Sequence, residues 1–141
     1  MIRLTSLLKE NDDSILKNIA DEVASNLYCD RVGSCVHFAE IFVEKVYEQD
    51  PNLLKKFNVI EGYVDTEIGE GIPQQHTWIE LKNGDKIDPT FIQFTKYDKD
   101  SVYLKKKQRR YTGEQYYKDT VGGTWFSDRR SKYPDMWFKN K

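Results

Sequence analysis

Cys35, His76 and Asp88 are the residues of this chain whose types and spacing could do chemistry together. A thiol, an imidazole and a carboxylate on three separate elements are the parts of an activated cysteine nucleophile. The imidazole takes the thiol proton, and the carboxylate holds the imidazole in the useful tautomer. Cys35 follows Gly33-Ser34 and opens a helical pattern, so it falls in a first turn, where unpaired N–H groups and the helix dipole stabilise a thiolate. His76 leads the run His76-Thr77-Trp78-Ile79-Glu80, and Asp88 leads Asp88-Pro89-Thr90, with Asn83-Gly84 between them. Each residue alone has a plainer explanation. A cysteine on an apolar helix face is more often inert, a histidine starting a strand can be a satisfied core or surface residue, and an aspartate before proline can simply open a turn. The combination favours catalysis, because the plainer roles give no reason for these types to converge.

The segment from His76 to Asp88 reads as a β-hairpin, and its register can be worked out on paper. A two-residue Asn-Gly loop would set Ile79 against Asp88 and Ile87 against Glu80, mixing apolar with charged partners. A three-residue loop of Lys82, Asn83 and Gly84, with the glycine left-handed, sets Ile79 against Ile87, Glu80 against Lys86 and Trp78 against Asp88. Matched cross-strand pairs contribute about 0.2–1 kcal/mol each, so the second register is expected. It also puts His76 and Asp88 on one sheet face as diagonal neighbours, which the first register forbids. Glu80 shares that face but lies roughly 13 Å from His76 at strand rise.

The elements that must position these residues follow from periodicity. Phe38, Ala39, Phe42, Val43 and Val46 share a helical face with Cys35, while His37, Glu40, Glu44 and Glu48 line the other. Gly33 and Ser34 suit the entry and cap, and Pro51 the stop. His37 points roughly 200° around the helix from Cys35 and so cannot be its base. Upstream, Ile15, Ile19, Val23 and Leu27 recur at steps of four beside Leu16, Ala20 and Ala24, with Asn11, Asp12 and Asp13 as capping candidates. Phe57 to Val64 reads as a strand, and Gly69, Gly71 and Pro73 as a loop that delivers the chain to His76. Helices followed by a strand and a hairpin give an α+β fold, N-terminal helices against an antiparallel sheet.

Gly-x-Cys at a helix start, His-x-Trp-x-Glu on a strand, a glycine turn and then Asp-Pro-Thr resemble the transglutaminase-like superfamily of papain-like cysteine enzymes. The resemblance spans Gly33 to about Thr90, and its second half is the more specific. It implies Cys35 as nucleophile, His76 as base and Asp88 as the residue that orients the imidazole. That family includes proteases, deamidases, amidases and acyltransferases, so the resemblance leaves the substrate open, with a protein, peptide or small amide expected.

At 141 residues the chain is expected to form one domain, 1–141, with a modest core. Its net charge of −1 gives no general electrostatic case for nucleic acid or a membrane surface. No signal peptide or bilayer-length apolar stretch is legible, which makes the cytoplasm the default and Cys29 a reduced thiol. Cys29, Cys35, His37 and His76 do not have zinc-site spacing, so neither metal nor cofactor is expected. The Cys35 backbone N–H would help to hold an oxyanion, with Tyr28, Asn26 and Trp78 as candidate further contacts. Two rival readings remain: a catalytically silent binding module of the same fold, and an adaptor acting through the basic run 105–110. That run reads more simply as a solvated loop or edge strand. Tyr111, Tyr116, Tyr117, Trp125, Phe126, Tyr133, Trp137 and Phe138 could either cover the core or wall a substrate groove.

Overall fold

Apolar side chains at helical spacing build two N-terminal helices, α1 (Leu4–Ser25) and α2 (Ser34–Gln49), in the computed structural model, which describes residues 4–66, 73–96 and 98–121. Leu16, Ile19, Ala20 and Val23 bury the inner face of α1, and Leu27 just beyond its end is buried with them. The helix begins well before Asn11, so Asn11, Asp12 and Asp13 lie inside it and are not its caps. Helix-forming residues such as Leu7, Leu8, Lys9 and Glu10 extend the pattern upstream. Gly33 is the N-cap of α2 at φ 90°; Ser34 is already helical, and its hydroxyl donates to the Cys29 carbonyl. The first half of α2 is buried all round. His37 and Glu40, expected on a polar outer face, are enclosed as fully as Phe38 and Phe42. A helix enclosed by several elements has no solvent face there, and residue polarity alone could not reveal that.

A 3-10 turn (Pro51–Lys56) leads into β1 (Phe57–Asp65), which pairs antiparallel with β2 (Gln74–Leu81) over its whole length. The remaining strands are short: β3 (Lys86–Ile87), β4 (Val102–Tyr103) and β5 (Arg109–Thr112). The sheet order is β3-β2-β1-β4, with β5 also on β1. The chain is therefore a mixed α+β structure with an antiparallel sheet. Phe57, Val59, Ile79, Leu81 and Ile87 meet α1 and α2 in the main core. Gly69, Gly71 and the aromatics Trp125, Phe126, Tyr133, Trp137 and Phe138 lie outside the described residues. Of the other aromatics, Tyr111 and Tyr116 pack on the core and Tyr117 stacks on Tyr47 at 4.2 Å.

The hairpin takes the three-residue loop. Ile79 pairs with Ile87 and Glu80 with Lys86, and Gly84 sits at φ 96°, where a Cβ would be strained. Gly84 N–H donates to Leu81 O, and Leu81 N–H to Asp85 O. The ladder stops at Ile87, so the expected Trp78–Asp88 rung is not formed. Asp88 turns away at φ −150°, ψ 74° into a 3-10 turn (Pro89–Phe91), because Pro89 has no N–H with which to continue a ladder. The brief helix α3 (Ile92–Thr95) follows. This early stop leaves the β2 edge uncovered beside His76 and Thr77.

Candidate active site

The uncovered edge is where Cys35 arrives. Leu81 N–H points toward β3, so by the alternation of an antiparallel ladder Thr77 N–H points the same way, past the end of β3. The Cys35 sulfur lies near enough to that N–H for it to help lower the thiol. Gln93 of α3 acts on the sulfur in the same direction. Gln93 Nε2 donates to Thr90 O at 3.1 Å, and an amide nitrogen has two hydrogens to give. Cys35 is 5% exposed and His76 2%.

On the ring, Nε2 of His76 lies 2.6 Å from Asp88 Oδ2. That leaves Nδ1 for the thiol. Sulfur and imidazole attract each other by hydrogen bonding and charge, yet Nδ1 is buried without a fully formed hydrogen bond. Catalytic pairs are often this loose until substrate binds. Asp88 is itself held from both sides: Tyr103 OH donates to Oδ2 at 2.6 Å and Thr90 Oγ1 to Oδ1 at 3.0 Å. A continuous chain of contacts thus runs from Cys35 through His76, Asp88, Thr90 and Gln93 back to Cys35.

These surroundings set the proton balance. Burial alone would push the Cys35 thiol up, but His76, the Thr77 N–H and Gln93 outweigh it and hold the thiol below its ordinary value. Burial would likewise lower His76; the bond and charge of Asp88 and the nearby sulfur raise it instead to about 9. Between the lowered thiol value and about 9 the arrangement favours a thiolate facing an imidazolium. Burial and the Asp88 carboxylate push the Tyr103 phenol up, so it stays protonated and donates. The burial comes from rings: Phe94 meets His76 edge-on at 4.9 Å, Trp78 stacks at 5.7 Å, and Tyr103 stacks on Phe91 at 4.5 Å.

Beside Cys35 opens a cleft of about 700 Å³, lined on one side by Glu61, Tyr63 and Gln75 and on the other by Lys107, Gln108 and Arg109. Its floor is Gly62, where a Cβ would lie 2.8 Å from Trp78 Cη2 and 3.2 Å from Gln108 Cγ. Hence the strand needs a residue without a side chain where Trp78 closes behind the imidazole.

Of the residues expected from sequence, Cys35, His76 and Asp88 are brought together. Trp78 is fully buried behind His76 and is not placed to touch a ligand. Asn26 and Tyr28 do not join the site: the Asn26 amide bonds Glu22 O at 3.2 Å, and the Tyr28 ring lies under Arg31. Asn26 closes the end of α1, its N–H bonding Val23 O, and Tyr28 O accepts from Arg31 N–H in the turn that follows. Glu80, the rival carboxylate, is bonded to Arg110 at 2.9 Å. Tyr103 and Gln93 were not foreseen, since no local pattern ties them to Asp88 or Cys35; the Asp-x-Thr spacing of a side-chain turn could have flagged Thr90. Among the described residues no three His, Cys, Asp or Glu side chains are grouped to hold a metal ion, and no helix is long and apolar enough to cross a membrane. No family model, curated protein or solved structure matches the chain.

Proposed function

We propose that the chain is a cysteine-dependent acyl-transfer enzyme of transglutaminase-like, papain-like type, acting on an amide or thioester. The observation that carries this reading is the Asp88–His76 bond on the ring nitrogen away from Cys35, with the thiol lowered and the imidazole raised. Inert core cysteines have no need of such a partner.

In the reaction, Cys35 Sγ attacks the carbonyl carbon and His76 Nδ1 delivers its proton to the leaving amine or thiol. Asp88 keeps Nε2–H engaged, so the ring turns between donor and acceptor without losing its aim. The developing oxyanion would be met by N–H groups of the first turn of α2 and by the Gln93 amide once the sulfur is acylated. Water or an amine then takes the acyl group while Nδ1 removes its proton.

A panel of activated aryl thioesters and anilides tests the reading under single-turnover conditions. The parent protein should release the leaving group, and Cys35→Ala and His76→Ala should not, while all three keep the same circular dichroism. Release that is equal in the parent and Cys35→Ala, or absent across the whole panel, would leave the silent binding module as the better account.

A further inference from the structure

We propose that the cleft beside Cys35 selects acyl donors that carry an anionic group, a carboxylate or a phosphate, next to the reacting carbonyl, and that Lys107 and Arg109 bind that group. The inference rests on the acyl-transfer reading and adds the substrate class to it. Lys107 and Arg109 line the same cleft as Cys35 and His76. Strand alternation explains which members of the basic run reach it. Arg109 pairs with Glu61 and Arg110 with Ile60 in the β1–β5 ladder, so the two arginines leave opposite faces. Arg110 is spent on Glu80. Among the described residues neither Lys107 nor Arg109 makes an ion pair. Glu61, directly across the ladder from Arg109, offsets one of the two charges and leaves an excess cation at the mouth.

The turn that presents Lys107 is held in place. Among the described residues Lys107 is the one non-glycine residue with positive φ, at 58°, a conformation that lysine adopts only when its surroundings impose it. Gln108 clamps the turn: its Nε2 donates to Leu104 O at 2.8 Å, and Leu104 N–H donates to Tyr63 O at 2.9 Å. The Gln108 side chain then rests against Gly62, the floor of the cleft. A solvated loop tip needs no such clamp, and glycine or asparagine would fill its left-handed position at less cost. The arrangement instead fixes a cation beside the nucleophile.

Three aryl thioesters that share one acyl group test this, with aspartate, phosphoserine or asparagine as the neighbouring residue. In each, Cys35 Sγ forms the new C–S bond, the bond to the aryl thiol breaks, and the His76 proton leaves with the thiol. Water then cleaves the acyl-enzyme to a carboxylic acid and restores thiolate and imidazolium. With Glu61 offsetting one of the two charges, the remaining excess cation should favour an anionic donor over asparagine by about two- to fivefold at low salt, less at high salt. Lys107→Gln/Arg109→Gln should erase that preference, and Lys105→Gln should leave it intact. The faster of the two anionic donors identifies the group as carboxylate or phosphate.

Alkylation of Cys35 by iodoacetate and by iodoacetamide, in a Cys29→Ala background, gives a readout that requires no turnover. The iodoacetate to iodoacetamide rate ratio should fall severalfold in the double variant. If it falls although no thioester acylates Cys35, the anionic subsite stands and the acyl-transfer reading does not. Equal acylation by all three donors, with an unchanged alkylation ratio, rejects the subsite alone. No reaction of Cys35 with any donor or reagent rejects both.

Discussion

Replacing Asp88 by asparagine keeps the side chain's shape and removes its charge, which isolates the contribution that holds His76 protonated. His76 sits at about 9 against burial that works to lower it from 6.5. The displacement corresponds to about 3 kcal/mol in favour of the imidazolium, and the Asp88 bond is the largest raising contribution. Without that charge, burial is opposed only by Cys35, and the imidazole becomes neutral near pH 7. The new amide can also donate to Nε2, which drives the ring proton to Nδ1 and makes it useless as an acceptor. Cys35 then keeps its burial but loses its cation, and its titration should move up into or beyond the ordinary thiol range near about 8.5. The assay is the rate of iodoacetamide alkylation from pH 5 to 10 in a Cys29→Ala background, read by intact mass, with circular dichroism to confirm folding. At pH 7 the rate in Asp88→Asn should fall by more than about tenfold, and turnover by about 10³–10⁴. A folded Asp88→Asn protein with the parent's alkylation midpoint would refute the reasoning, because the carboxylate would then not govern the pair.

Further outcomes follow from the neighbouring contacts. Tyr103→Phe keeps the stack on Phe91 but loses the 2.6 Å bond to Asp88; it should cost about 1 kcal/mol in urea unfolding and slow turnover about tenfold, with KM little changed. Gly62→Ala forces a methyl to within 2.8 Å of a fully buried Trp78 and should cost about 1–3 kcal/mol by the same measurement. Glu80→Ala breaks only the half-exposed pair with Arg110, so single-turnover acylation should stay near the parent's. The pH dependence of stability carries a distinctive sign. A raised imidazole stabilises the fold fully below its unfolded value of 6.5, and that contribution is lost as the pH rises through about 9. A lowered thiol does the reverse: its contribution is present above the unfolded thiol value and lost as the pH falls through the folded one. Where the pH lies above both 6.5 and the folded thiol's lowered value, and below the unfolded thiol's, the folded and unfolded pairs hold the same number of protons, so the pair should give no slope. Cys35→Ala should then expose a decline in unfolding free energy with rising pH, measured in urea.

The hairpin was legible because its determinants are local. Asn83-Gly84 names the turn, and only one register matches Ile79 with Ile87 while keeping His76 and Asp88 on one face. Cys35 was legible as a first-turn residue for the same reason. What escaped depends on contacts distant in sequence. Burial of His37 and Glu40 comes from elements distant in sequence that pack around α2, which no helical period encodes. Tyr103 reaches Asp88 because β4 lies on β1, at the Val64–Tyr103 rung, and Gln93 reaches Cys35 because the chain turns at Pro89. The basic run read correctly as loop and edge strand, but its place beside the nucleophile follows from the β1–β5 pairing, which its composition does not announce. Asn26 and Tyr28 were chosen for nearness in sequence to Cys35, and each makes a local contact there, Asn26 with Glu22 O and Tyr28 with Arg31.

The central claim is that Cys35 carries an acyl group whose formation depends on His76. Acid-quenching the protein milliseconds to seconds after mixing with an aryl thioester, followed by intact mass and peptide mapping, tests it directly. The expected result is one acyl mass per chain, mapped to Cys35, present in Cys29→Ala and absent in Cys35→Ala and His76→Ala. Acylation shared between Cys29 and Cys35, or an adduct at Cys35 that forms as fast in His76→Ala, would contradict it.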